Sequence, residues 1–103
     1  MTTTLDDTFA ALADPTRLEI VRRLGRGPAP VSELAAPFDM SLTGFLKHVH
    51  VLEDAGIVRT SKSGRVRHCE LNQQRIDRIG SWVDDMRAIW ERRLDRIAEY
   101  SER

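Results

Sequence analysis

The segment from Pro30 to Gly56 constrains the fold more than any other, because it predicts two short helices joined by a tight turn. Val31, Leu34 and Ala35 have helical spacing. Pro37 ends this first helix, since proline lacks an N–H group and clashes with the preceding turn. The next three residues, 38–40, form the predicted turn.

The second helix of this pair is predicted to begin after Ser41, whose side chain is a good N-cap, and to end at Gly56, which can adopt positive φ. Its predicted apolar stripe consists of Leu42, Phe45, Val49 and Leu52. Its other face carries Thr43, Lys47, His50 and Glu53, with His48 near the edge. This is the helix-turn-helix plan, in which the second helix can enter the major groove of DNA.

After Gly56 the pattern changes from helical to extended, which predicts a β-hairpin over residues 57–71. Ile57, Val58 and Thr60 suit a strand, and Ser63-Gly64 is the predicted turn. In the returning strand, 65–71, alternation predicts one shared face for Arg65, Arg67, Cys69 and Leu71. An arginine-bearing hairpin after a recognition helix is typical of a wing.

Two helices are predicted before this unit. The first spans about Asp6 to Ala13 and has Leu5, Phe9 and Leu12 on one side. Asp14 and Pro15 start the second, as N-cap and first helical residue, and it runs to about Gly25. Its predicted buried face is Leu18, Ile20, Val21 and Leu24. Its predicted outer residues are Arg17, Arg22, Arg23 and Arg26.

After the hairpin, Asn72 is predicted to cap a short helix ending near Ile79, with a break at Gly80-Ser81 and a long helix from Trp82 to about Ser101. Two tryptophans on a terminal helix are more apolar surface than so small a domain readily covers, and tryptophan favours interfaces. We therefore predict dimerisation through segments 5–13 and 81–101. The predicted interface residues are Leu5, Phe9, Leu12, Trp82, Met86, Ile89, Trp90 and Ile97. The alternative is that this helix packs on its own core.

The length of the chain favours one domain, 1–103. The distribution of its charges favours binding through one part of the surface. The chain has 16 basic and 16 acidic side chains, so its zero net charge argues against strong non-specific binding of nucleic acid over the whole surface. Residues 57–75 nevertheless carry five basic side chains against Glu70 alone. With one cysteine, no secretory signal and no apolar run of membrane-spanning length, we expect a cytoplasmic protein and no membrane partner.

Four sequence stretches resemble the ArsR-type winged-helix repressors. They are ALADPTRLEIVRRL (11–24), VSELA (31–35), KHVHVLEDAGIV (47–58) and SGRVRHCEL (63–71). The tail, with WERRLDRI at 90–97, is similar to the non-metal branch of that family. The resemblance implies a mainly α fold with a small β-hairpin, a winged helix-turn-helix that is dimeric through its N- and C-terminal helices. It also implies a homodimeric repressor that binds an operator and is released by a signal, with the effector unknown.

The chain departs from the family pattern on the recognition helix. The family often has proline at position 43 and serine at position 46, whereas this chain has Thr43 and Leu46. Gly44 adds flexibility, at about 1 kcal/mol relative to alanine. The operator preference of the family is therefore not carried over.

Neither a metal nor a cofactor is predicted. The metal-sensing pattern has a Cys-x-Cys pair where this chain has VSELAA (31–36), and the last helix contains no His or Cys. His48 and His50 point in different directions on a helix, and His68 and Cys69 face opposite sides of a strand. No grouping of a nucleophile, base or paired acid supports an enzyme.

Double-stranded DNA is the predicted partner, besides a second copy of the chain. The candidate contacts are Ser41, Leu42, Thr43, Lys47, His48, Lys62, Arg65 and Arg67. Two of these have structural alternatives: Ser41 as a plain N-cap, and His48 as a residue packed against the hairpin. The runner-up function is a dimeric winged-helix interaction module that has lost operator binding, which Gly44, Leu46 and the neutral charge would fit.

Overall fold

Helices at both ends enclose a helix-turn-helix and a small sheet in the computed structural model, which describes residues 4–101. The elements in chain order are α1 (Leu5–Leu12), α2 (Pro15–Leu24), β1 (Ala29–Pro30), α3 (Val31–Ala35), α4 (Leu42–Asp54), β2 (Val58–Ser63), β3 (Val66–Leu71) and α5 (Gln73–Ser101). The predicted winged helix-turn-helix fold is confirmed, with α3 and α4 as the helix pair and β2–β3 as the hairpin.

Side-chain caps start three of the helices. Thr4 and Asp7 form a capping box on α1, in which each side chain bonds the backbone N–H of the other. Asp14 accepts from the N–H of Arg17, with proline at the first position of α2, as predicted. Ser41 accepts from the N–H of Gly44 at 3.0 Å, which confirms its predicted role as N-cap of α4.

The core is built around the inner face of α4 and two residues that follow it. Its largest fully buried apolar side chains are Phe45, Ile20, Leu52, Ile57, Val49 and Val58. Cys69 is also fully buried, at the middle of β3, while the neighbouring His68 lies partly exposed on the other side. Ring contact between Phe38 and Phe45, with centroids 5.5 Å apart, anchors the turn before α4 to this core.

Two leucines predicted to be buried are exposed. Leu18 is 49% exposed, because it lies about 200° around α2 from Ile20 and the two cannot face the same core. Ile20 and Leu24 are one turn apart and take the inner face instead. Leu42 is 58% exposed, since the first turn of α4 extends past the core to the edge of the wing.

The sheet is antiparallel with strand order β1-β3-β2. Ser63 pairs with Val66, so the two-residue turn is Gly64-Arg65, and the predicted turn at Ser63-Gly64 is wrong by one residue. Gly64 adopts φ of +63°, and glycine is preferred at the first central position of a type II′ hairpin turn. Arg65 therefore lies in the turn and not in the returning strand. The two-residue strand β1 was not predicted, because it is short and contains a proline.

The predicted break at Gly80-Ser81 is also wrong. Helix α5 runs without interruption for 29 residues, from Gln73 to Ser101. One glycine costs a helix about 1 kcal/mol relative to alanine, which is too little to end a long helix with good helix formers on both sides. Asn72 precedes α5, and its carbonyl accepts from the N–H groups of Arg75 and Ile76.

Helix α5 projects from the rest of the described chain. Within Gln73–Ser101 no residue is buried, and the ring of Trp82 contacts Phe9 of α1 with centroids 5.2 Å apart. None of the helices between residues 4 and 101 combines the length and the apolar character needed to cross a membrane.

Candidate nucleic-acid interface

The recognition helix α4 divides into three sectors around its axis, since each residue advances about 100°. Phe45, Val49 and Leu52 face the core. Thr43 and Lys47 are exposed one turn apart on the outer face, as predicted. The third sector faces the wing and contains Leu42 and Leu46.

An open groove of about 480 Å³, here called the wing groove, separates the start of α4 from the hairpin. Its lining residues come from α3, α4 and the wing: Val31, Ser32, Leu42, Leu46, Lys62, Arg65, Val66 and Arg67. Four of the eight predicted DNA contacts, Leu42, Lys62, Arg65 and Arg67, therefore meet in one place. Ser41, Thr43 and Lys47 lie outside this lining, on the exposed surface of α4.

The cations of the wing groove carry no carboxylate partner within the part of the chain that the structure describes. Among the ion pairs of residues 4–101, none involves Lys62, Arg65 or Arg67, and all three side chains are exposed. Glu70, the one acidic residue of the wing, lies opposite Arg59 in the strand register. Three positive groups are thus free to meet an anion at the same edge of the molecule.

Hydrogen bonds join the end of α4 to the base of the wing. The hydroxyl of Thr60 on β2 donates to the carboxylate of Glu53 on α4. The amide of Asn72 donates to the carbonyl of Gly56 at 2.9 Å and accepts from Arg59 at 3.1 Å. These contacts hold the hairpin in one orientation relative to the recognition helix.

His48 lies on the opposite side of α4, against α2. Its Nδ1 is 3.2 Å from Nη1 of Arg17 and 3.7 Å from Oδ2 of Asp14. The Nε of Arg17 donates to the carbonyl of Ala11, so one guanidinium joins α1, α2 and α4. The predicted alternative for His48, packing against the hairpin, is wrong, and so is the prediction that Arg17 lies wholly outside.

Two pKa values depart from their ordinary range near these contacts. The backbone N–H of Arg17 lowers the pKa of Asp14, and the nearby His48 and Arg17 act in the same direction. Burial raises the pKa of the Cys69 thiol to about 11, with Glu53 and Glu70 adding to the shift. A thiol with this pKa is protonated near neutral pH and is a poor nucleophile or metal ligand.

No three His, Cys, Asp or Glu side chains cluster closely enough to hold a metal ion within the described range, 4–101. The absence of a metal or cofactor stays a prediction. The three histidines lie apart: His48 against α2, His50 3.8 Å from Glu53, and His68 on the hairpin.

Four lining residues of the wing groove, Val31, Ser32, Leu46 and Val66, are not among the predicted contacts, and the bridging role of Arg17 was missed as well. Ser32 could have been found as an exposed polar residue on the first helix of the pair, which in such motifs crosses the DNA backbone. The contacts of Arg17 have no local signal, because its histidine partner is 31 residues away.

Comparison with known proteins agrees with this geometry. A family model described as a helix-turn-helix domain matches residues 12–61. The HTH-type transcriptional regulator Rv2034 of Mycobacterium tuberculosis is 33% identical over 94 residues, 91% of this chain and 85% of that protein. The crystal structure of the ArsR family transcriptional regulator RHA00566 is 50% identical, with a TM-score of 0.77, and the match covers 84% of this chain and 90% of that one.

A third, more distant structure shares the fold. It is the homodimeric winged helix-turn-helix DNA-binding domain Mb0332 of Mycobacterium bovis, 23% identical with a TM-score of 0.67, covering 82% of this chain and 78% of that one. An exposed second helix beside a cationic hairpin defines the class as winged helix-turn-helix. The chain belongs to the ArsR family of transcriptional regulators.

Proposed function

We propose that this regulator is a homodimeric repressor that binds a palindromic operator through α4 and the wing. One observation carries the proposal: the start of the exposed recognition helix and three cations, unpaired among residues 4–101, border a single groove. Such an arrangement is suited to duplex DNA, because the helix can meet base edges while the cations meet phosphates.

The residues have different roles in this proposal. Thr43 and Lys47, on the outer face of α4, contact base edges and influence the preferred sequence. Ser41 lies at the N-terminus of α4, beside the N–H groups of the first turn. These groups lie close to the DNA backbone, where a helix N-terminus favours a phosphate. Lys62, Arg65 and Arg67 supply affinity through phosphates or the minor groove. His48 acts indirectly, by holding α4 against α2.

Dimerisation is proposed through α1 and α5. Helix α5 has no buried residue between Gln73 and Ser101, yet it carries a continuous apolar stripe. The stripe consists of Trp82, Val83, Met86, Ile89, Trp90, Leu94 and Ile97, each between 39% and 63% exposed. Monomeric proteins rarely leave so long an apolar face open. With Leu5, Phe9 and Leu12 of α1 at one end, this face suits a second copy, and the related Mb0332 domain is homodimeric.

Twofold symmetry gives the operator its predicted form. Two recognition helices on one face of the duplex place half-site centres about one helical turn, roughly 34 Å, or a multiple apart. A dimer that occupies successive major grooves excludes other proteins from the same DNA, which is the basis for proposing repression. The proposed partner places the protein with the chromosome, in the cytoplasm, and the proposed mechanism uses no catalysis, metal or cofactor.

Selection from random duplexes tests the proposal. The wild-type protein is incubated with a pool of duplex DNA carrying a randomised 30-base-pair segment, bound DNA is sequenced over several rounds, and the protein's mass on the enriched DNA is measured by sedimentation. We expect an imperfect palindrome bound by two copies of the chain. Lys47→Ala should alter the enriched sequence, whereas Arg92→Ala, on the far half of α5, should not.

Failure to enrich any sequence at about 100 mM salt would contradict the proposal. That result would favour the alternative, a dimeric winged-helix module without operator binding. Enrichment of a site bound by a single copy would contradict the dimeric mechanism alone.

A further inference from the structure

The recognition helix presents a large apolar side chain where DNA-reading helices usually present polar ones. Leu42 is 58% exposed in the first turn of α4, directly after its N-cap. Packing of the core does not explain Leu42, because Phe45, Val49 and Leu52 already fill the inner face of α4 and are at most 2% exposed.

We infer that Leu42 reads the 5-methyl group of a thymine in each half-site of the operator. The inference rests on the proposed function and adds a base preference to it. N-terminal residues of recognition helices contact base edges in the major groove. Those edges present donors and acceptors, and the thymine methyl is their one apolar group. The side chain of leucine cannot form hydrogen bonds. Among these groups, only the thymine methyl therefore offers it a favourable apolar contact.

The surroundings of Leu42 favour DNA over an apolar partner. The wing groove that contains it is also lined by Lys62, Arg65 and Arg67, none of which has a carboxylate partner in the described chain. An apolar peptide or helix would leave these three charges without partners. A duplex supplies phosphates to the wing and a methyl group to Leu42 at the same time.

The wing groove gives Leu42 apolar surroundings. Leu46, one helical turn after Leu42, and Val66 on the hairpin both line the groove, and Leu46 packs partly against the core. A methyl group that enters the groove beside Leu42 therefore meets apolar side chains, which favours its burial.

Deoxyuridine provides the test, because it differs from thymidine by the 5-methyl group alone and pairs identically. Each thymine of the selected operator is replaced in turn, symmetrically in both half-sites, and affinity is measured by titration of labelled duplex. For the wild type, at least one position should lose about 15-fold in affinity, or about 4-fold per half-site, as expected for one buried methyl group in each.

Three variants identify the residue responsible. Leu42→Ala should bring the thymine-to-uracil affinity ratio at that position close to 1, while Leu42→Met should retain most of it. Val51→Ala is the matched control, because Val51 is an exposed apolar residue of α4 about 180° around the helix from Leu42. It should keep the wild-type ratio. Circular dichroism and thermal unfolding verify that each variant is folded.

The outcomes separate the inference from the proposed function. Specific binding with no loss at any uracil position, or half-sites without thymine, overturns the inference and leaves the operator proposal standing. An equal uracil effect in Leu42→Ala also overturns it, because another residue would then contact the methyl. If no sequence is enriched at all, the proposed function fails and this inference fails with it.

Discussion

The guanidinium of Arg17 lies between the carbonyl of Ala11 and the ring of His48, with Nη1 of Arg17 3.2 Å from Nδ1 of His48. A guanidinium donates hydrogen bonds and never accepts them, so Nδ1 accepts in this contact whenever it carries no proton. One side chain of α2 thereby joins the recognition helix α4 to α1 as well as to α2.

The first prediction is that Arg17 and His48 contribute to stability together. Arg17→Ala should lower the free energy of unfolding by about 1–2 kcal/mol, since two hydrogen bonds are lost. In a double-mutant cycle with His48→Ala, we expect a coupling energy of about 0.5–1.5 kcal/mol, measured by urea unfolding. Arg17→Lys is the control: it keeps the charge but cannot reach both acceptors. Additive effects of the two alanine substitutions would show that the contact has no energetic weight.

The second prediction concerns the wing. Arg65→Ala and Arg67→Ala should each flatten the dependence of log affinity on log salt by about one unit per phosphate contact, or about two in a dimer. Their arginines have no carboxylate partner within residues 4–101, so the lost interaction is with DNA. Fluorescence titration of labelled operator at four salt concentrations gives the slopes.

Arg92→Ala is the matched control for the wing, because Arg92 is an exposed arginine on the far half of α5. Its slope should equal that of the wild type. Unchanged slopes for both wing variants would remove the wing from the mechanism, even if Lys47→Ala still weakens binding.

The third prediction is that a charge on the apolar stripe of α5 separates the subunits. Trp90→Glu should give a monomer at micromolar concentration in sedimentation velocity, with weaker operator binding. Trp90 is 60% exposed, so the substitution leaves the core of each subunit intact. Ala88→Glu places the same charge on the opposite side of the helix and should leave the dimer unchanged. A wild-type protein that sediments as a monomer would rule out this interface.

The fourth prediction follows from the buried thiol of Cys69. Its pKa is raised to about 11, mainly by desolvation, whereas the unfolded thiol titrates near 9. Below pH 9 the thiol is protonated in both states. As the pH rises from 9 towards 11, the unfolded thiol ionises first, so the free energy of unfolding falls.

Urea unfolding under reducing conditions at pH 8 and pH 10.5 measures this effect. The wild type should lose about 2 kcal/mol more than Cys69→Ala over this interval. Equal losses in the two proteins would mean that the thiol is accessible to water. The comparison of two pH values within each protein cancels the cost of the cavity that the substitution leaves.

The fifth prediction uses the unbroken helix α5. Gly80→Ala should raise the free energy of unfolding by about 0.5–1 kcal/mol, because a Cβ at position 80 would meet no heavy atom within 4 Å. Gly56→Ala is the opposite case: Gly56 has φ of +75°, and a Cβ there would lie 3.0 Å from the side chain of Arg75. Gly56→Ala should therefore lower the free energy of unfolding. Both are measured by urea unfolding at one protein concentration, since the unfolding of a dimer depends on concentration.

Local chemistry was sufficient to predict most element boundaries. Asp14-Pro15 starts α2, Ser41 caps α4 and Gly56 ends it with positive φ, and each of these roles depends on neighbours a few residues away. The same holds for the alternation that places the buried Cys69 and the partly exposed His68 on opposite faces of β3. The family was also recognisable, because its linked motifs span nearly the whole chain.

The misjudged features depend on more distant neighbours or on small energy differences. A glycine such as Gly80 can end a helix or lie within it. Its helix propensity is only about 1 kcal/mol less favourable than that of alanine, which is too small a difference to decide between the two. Leu42 matches the buried periodicity of α4, yet whether a helical face is covered depends on which other elements reach it.

By itself, the sequence determined the winged helix-turn-helix plan and the residues proposed to contact DNA, because capping, turn chemistry and periodicity act over a few residues. The tertiary structure decided which of those residues meet. It brought Leu42 of α4 and the cations of the wing into one groove, and it turned His48 away to Arg17 of α2. The physical reason is that packing of the shared core sets the angles between the elements, and these angles decide which side chains of distant segments come within contact distance.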